Sequence, residues 1–193
     1  MSIGQAMLVY IPVLHSNAEM GSVAGAYKAS FVARFGEQQW LRRCAEYAAI
    51  WDAITAGIDA LQLDWATVKI YQDSLPVCGK EVELVRELAA LGSHNHRLLV
   101  QLAERGAMLV GTEAPELLLD EYRLLQSPER APEEAAALLR KRDRFIAQRI
   151  DATLDDGETG LLFMGALHQV ERLVPPRIRV EHLDVRTRPD RPQ

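Results

Sequence analysis

Hydrophobic and polar positions alternate along this chain in blocks of two kinds. Residues 7–14 (MLVYIPVL) form an unbroken apolar run rich in β-formers, which predicts a buried strand in which Pro12 removes one ladder donor near the end. A helical stretch over 27–34 stops at Gly36. Residues 38–61 then carry Trp40, Leu41, Cys44, Tyr47, Ala48, Trp51, Ile54, Ile58 and Leu61 at helical spacing, the strongest helix in the sequence. A short strand over 68–71 leads into the breaker-rich Gln72-Asp-Ser-Leu-Pro-Val-Cys-Gly. Helices follow over 80–91, with Gly92 as its stop, and over 95–105, with Ser93 as its cap. A strand over 107–110 closes on Gly111-Thr-Glu113. Pro115 suits the first turn of a helix continuing over 116–125. After the Ser127-Pro-Glu-Arg-Ala-Pro132 loop come a long helix over 133–154, a strand over 161–164 and an extended piece over 178–183.

Strands alternating with helices predict an α/β fold, one domain over 1–185 with a mostly parallel sheet of about five strands flanked by helices. The charged, Pro-containing 186–193 reads as a disordered tail. Composition sharpens this picture. The 193 residues are 48% hydrophobic, enough to offset ordering entropy, and the formal charge of −5 opposes binding to nucleic acid or an anionic membrane. No apolar run approaches the roughly 20 residues of a membrane span, and the N-terminus lacks the basic region of a signal peptide. Two cysteines, Cys44 and Cys78, make no disulfide framework and fit a reducing cytoplasm.

The candidate chemistry lies just after the strands. The first strand ends at His15, the second at Asp73, the third at Glu113 and the fourth at Gly165-Ala-Leu-His168. Ligands of open α/β sheets bind beyond the carboxyl ends of the strands, so four strands would deliver His, Asp, Glu and His to one edge. Such a set can hold one divalent metal, with His15, His168 and Glu113 as ligands, or divide general acid and base roles. Each residue also has a structural reading, because turns and caps are polar and Glu113 suits a helix N-terminus. Ser16-x-x-Glu19 has the form of a capping box.

Two helices add charges on core-facing stripes. Glu121 falls amid Leu117, Leu118, Leu124 and Leu125, while Arg142 and Asp143 fall close to the line of Leu139, Ile146 and Ile150. Core-facing charges are costly unless paired, and Glu121 with Arg142 is the natural pair, either as a structural bridge or as a substrate-orienting one. Tyr122 and Arg123 face solvent.

Arg142-Asp143-x-x-Ile146-Ala147-x-x-Ile150 leading into Leu161-Leu-Phe-Met-Gly165-Ala-Leu-His168 resembles the TraB/TIKI, erythromycin-esterase and ChaN-like superfamily. The family's N-terminal Gly-x-x-His is here Pro12-Val-Leu-His15. The resemblance implies a hydrolase-like site, metal-dependent in the TIKI branch and histidine-based in the esterase branch. The expectation is a hydrolase acting on a small molecule or peptide through His15, His168, Glu113, Asp73, Arg142 and Glu121.

Other signals compete. Cys78, before a helix N-terminus, is either a thiolate nucleophile with a histidine base or a buried small apolar residue. Ser93-His94-Asn95-His96 reads as a cap with solvent-exposed imidazoles rather than a metal pair, since positions i and i+2 do not share a helix face. A nucleotide-binding glycine loop and a Gly-x-Ser-x-Gly elbow are both missing. The Trp40, Tyr47, Trp51 row reads as core packing or a homodimer face. A non-catalytic binding or scaffold protein on the same fold is the rival from another class.

Overall fold

The structure is a computed structural model, and it describes residues 4–13, 24–127 and 131–185. Among these residues five strands form one all-parallel sheet: β1 (Ala6–Val13), β2 (Val68–Gln72), β3 (Met108–Val110), β4 (Thr159–Gly165) and β5 (Ile178–His182), in the order β3-β2-β4-β1-β5. Among the described residues six helices accompany them: α1 (Ala24–Phe35), α2 (Glu37–Ala60), α3 (Glu81–Ala90), α4 (His94–Glu104), α5 (Pro115–Gln126) and α6 (Pro132–Thr153). Each strand and helix expected from the hydrophobic pattern is present, with no end displaced by more than three residues. His15, Ser16, Glu19 and the 186–193 tail lie outside the described residues.

A parallel sheet covered on both faces needs strands apolar on both sides, and β1 and β4 show it. Val9, Ile11, Val13, Leu161 and Phe163 point into a core shared with Trp51, Ile54 and Ile58 of α2, Val85 of α3 and Leu98, Leu99 and Leu102 of α4. Ala6, Leu8, Tyr10, Leu162 and Met164 point the other way, onto Ile146, Ala147 and Ile150 of α6. β4 runs through the centre, and its Gly160 has no room for a side chain: a Cβ there would lie 2.7 Å from Leu8 Cδ1 and 3.1 Å from Tyr71 Cε2.

Pro12 sits inside β1, paired with Met164, at no ladder cost. The Tyr10 carbonyl accepts from Leu183 N, so even-numbered residues of β1 turn their backbone groups toward β5. Pairing with β5 stops at Tyr10, and the proline nitrogen therefore faces a side where the ladder has ended.

The aromatic row on α2 only half reaches the sheet. A 24-residue helix is about 36 Å long, against about 17–26 Å for strands of five to eight residues. Trp51 packs in the core, but Trp40 is buried by Tyr27 and Phe31 of α1 instead, and Leu41 and Cys44 are exposed. No helix among the described residues is long and apolar enough to cross a membrane.

Candidate functional site

The strand ends meet where β2, β3 and β4 run out beside one another. Asp73 follows β2 and continues its ladder, its N–H donating to the Phe163 carbonyl at 2.9 Å. The loop after β2 is tied to the loop after β3: Thr112 N and Glu113 N donate to the Leu75 carbonyl, and Val77 N donates to the Glu113 carbonyl. This lacing brings Glu113 next to Asp73. The turn also holds Ser74 at φ +63°, a left-handed conformation that costs a non-glycine residue on the order of 1 kcal/mol. Two bonds offset it, Ser74 N donating to Glu113 Oε1 at 2.8 Å and Ser74 Oγ to Asp73 Oδ1 at 3.2 Å.

α6 supplies the cation. The Arg142 guanidinium grips Glu113 with two parallel bonds, Nε to Oε2 at 2.6 Å and Nη2 to Oε1 at 2.7 Å. Nη2 also reaches Asp73 Oδ1 at 3.1 Å, and Nη1 donates to Glu121. Asp73, Glu113 and Arg142 are buried, whereas Glu121 is half-exposed at the rim. The Glu121–Arg142 pair expected from the stripes is present, but Glu113 is the dominant partner of the arginine. Burial disfavours the guanidinium charge, yet the Glu113 bonds and the three surrounding carboxylates raise the Arg142 pKa above its ordinary range. Burial and the neighbouring Asp73 charge push Glu113 up against the pull of Arg142.

Asp143, the next residue on α6, serves His168. Its Oδ1 lies 2.5 Å from His168 Nδ1, and its Oδ2 accepts Gln169 N at 3.1 Å. The other ring nitrogen, Nε2, lies 3.5 Å from Asp73 Oδ1. The imidazole thus stands between two buried carboxylates. Burial works against its charge, but the Asp143 bond and the Asp73 bond and charge outweigh it and raise His168 to about 9. Asp73 moves the opposite way. Burial would raise it, but the His168 bond and charge and the Arg142 charge hold it below the ordinary carboxylate range. Gly165 N adds a bond to Asp73 Oδ2 at 3.1 Å. These groups open onto a cavity of about 440 Å³ whose walls include Asp73, Ser74, Glu121, Arg142, Gly165 and His168, with Val13, Leu125 and Leu139 as apolar sides.

Five of the six expected site residues therefore converge: Asp73, Glu113, Glu121, Arg142 and His168. The sixth, His15, lies outside the described residues. Of the expected metal set His15, His168 and Glu113, the described residues include only His168 and Glu113. Both Glu113 oxygens are bonded to the Arg142 guanidinium, whereas Asp143 occupies only Nδ1 of His168 and leaves Nε2 facing Asp73. No group of three His, Cys, Asp or Glu side chains suited to a metal occurs among the described residues.

Two further expectations change. His96 is buried, not solvent-exposed, with Nδ1 2.8 Å from the capping Ser93 Oγ. Cys78 is exposed rather than packed away, lines neither this cavity nor the one beside Asn95, and gives its N–H to Glu81 Oε1. That carboxylate, not the thiol, occupies the start of α3. The pattern also missed the Asp143–His168 pair. The signal was present, since a second buried charge beside Arg142 on the same stripe requires a partner of its own. No family model, curated protein or solved structure matches the chain.

Proposed function

We propose that this chain is a hydrolase of small-molecule or peptide ester or amide bonds, working by acid–base chemistry on His168 and Asp73. The observation that carries the reading is the imidazole held between Asp143 and Asp73 on the wall of a cavity at the carboxyl ends of the strands. Asp143 fixes the ring and its charge, so near neutral pH Nε2 bears a proton that can be given away. At 3.5 Å the bond from Nε2–H to Asp73 is long and therefore weak, so a substrate oxygen can take that proton from it. Asp73, ionised, accepts from the attacking water.

In the step this implies, water adds to the carbonyl carbon and its proton passes to Asp73. The bond to the leaving group breaks as Nε2–H protonates it, and Asp73 then returns the proton to His168. A substrate that takes Nε2–H also removes one of the interactions holding Asp73 low, which makes Asp73 a stronger base as the reaction begins. Arg142 has its donors committed to Glu113, Asp73 and Glu121, so it positions Asp73. The reading accords with the esterase branch of the superfamily that Gly165-x-x-His168 resembles. Exposed, unpaired Cys44 and Cys78 support a reducing, cytoplasmic setting.

The test is turnover of p-nitrophenyl acetate and butyrate by the wild-type chain and by His168→Gln. Loss of a positioned general acid is expected to lower kcat by about 100-fold or more, and wild-type activity should decline as pH passes about 9. A His168→Gln variant with the wild-type rate overturns the proposal.

A further inference from the structure

A second cavity, of about 460 Å³, lies on the other side of Asp73 and Ser74, between the loop after β2 and helices α3, α4 and α5. The two cavities share those two residues, so a molecule reacting at His168 has an adjoining space into which its non-leaving part can extend. The walls are Leu75, Leu84, Leu88 and Leu118. Polar groups of Gln72, Asp73, Ser74 and His96 also line the cavity, together with the amide of Asn95, which is 1% exposed.

The orientation of that amide follows from its neighbours. The Asp73 carbonyl can only accept, so it is Gln72 Nε2 that donates to it, at 3.0 Å. Gln72 Oε1 must then accept, and the donor is Asn95 Nδ2 at 2.9 Å. The chain of amides leaves Asn95 Oδ1 as its open end, buried and with no hydrogen-bond partner among the described residues. A buried acceptor left open costs about 1–3 kcal/mol, so a group that donates to it gains accordingly.

We infer that this cavity is the subsite for the acyl part of the substrate, and that it selects an apolar group bearing one N–H or O–H donor, received by Asn95 Oδ1. The inference rests on the hydrolase reading for the word substrate, but the binding itself does not. Occupancy would also act back on the reaction, because Asn95 and Gln72 end on the backbone of Asp73.

Titration of the ¹⁵N-labelled chain with hexanamide tests the assignment, against 2-heptanone as a probe of the same shape without the donor. Hexanamide is expected to shift the amide signals of Ser74, Leu88 and Asn95, and 2-heptanone to bind about five-fold more weakly for want of one hydrogen bond. Leu88→Trp, which fills the space from a half-buried wall, is expected to weaken hexanamide at least ten-fold. Equal binding of the two probes, shifts confined to the His168 cavity, or hexanamide binding undiminished in Leu88→Trp each overturns the inference. Because the titration needs no turnover, the two proposals fail separately. Hexanamide binding here without ester hydrolysis removes the hydrolase and keeps the subsite, whereas hydrolysis without binding here removes the subsite alone.

Discussion

Asp143→Asn isolates the interaction that sets the charge of His168. The carboxylate receives two donors, His168 Nδ1–H on Oδ1 and Gln169 N–H on Oδ2. An asparagine of the same shape has only one acceptor. If its oxygen keeps Gln169 N–H, its NH₂ faces the ring and requires a neutral imidazole with the proton on Nε2. Lifting His168 from its ordinary 6.5 to about 9 favours the folded, charged form by about 3 kcal/mol, and the Asp143 bond is the largest contribution to that rise. Because the folded pKa is raised, this stability is fully present below pH 6.5 and disappears as the pH climbs through 9. Urea denaturation at pH 6 is therefore expected to show Asp143→Asn about 2–3 kcal/mol less stable than wild type, and at pH 10 the gap should shrink to under about 1 kcal/mol. The other titrating groups are common to both proteins, so their contributions cancel in the difference. An NMR titration of the ring should place its midpoint near 9 in wild type and below 6.5 in the variant. An equal deficit at both pH values would refute the reasoning, because it would mean that Asp143 acts through shape and packing and not through the proton on His168.

The remaining expectations concern the ion cluster and the central strand. Arg142→Met leaves Glu113 and Asp73 buried without their cation and should cost about 3–5 kcal/mol by urea denaturation, part of it recovered when Glu113→Gln is added. Asp73 has a lowered folded pKa, so its contribution is present above the ordinary 3.8 and lost only as pH falls through the lower folded value. The stability gap between wild type and Asp73→Asn should thus persist at pH 4 and narrow in stronger acid. Gly160→Ala drives a methyl against Leu8 and Tyr71 and should cost about 1–3 kcal/mol, relieved in combination with Leu8→Val.

Much of this architecture was legible in the residue pattern. Apolar runs of strand length, separated by helical periods and punctuated by Gly36, Gly92 and Pro115, determine the alternation of strands and helices. Alternation in turn requires a parallel sheet whose carboxyl ends share one edge, so Asp73, Glu113 and His168 could be placed together before any coordinates. Charges on the apolar stripes of α5 and α6 likewise announced ion pairing. Hydrophobic periodicity reports which face of an element is buried, but it carries no information about what that face meets.

Partner choice is therefore where tertiary structure decided. Arg142 could have served Glu121 alone. The lacing of the β2 and β3 loops brings Glu113 and Asp73 to it as well, which commits both Glu113 oxygens to the guanidinium and leaves Asp143 to His168. Helix α2 outruns its sheet, so half of its aromatic row meets α1 instead of the core. Asn95, within a stretch read as a cap with solvent-exposed imidazoles, is buried because its amide meets Gln72 at the end of β2. Strand order, crossovers and helix length set these contacts, and they arise from packing between segments far apart in the chain. The short-range spacing of residues, which is all that a single sequence displays, does not encode them.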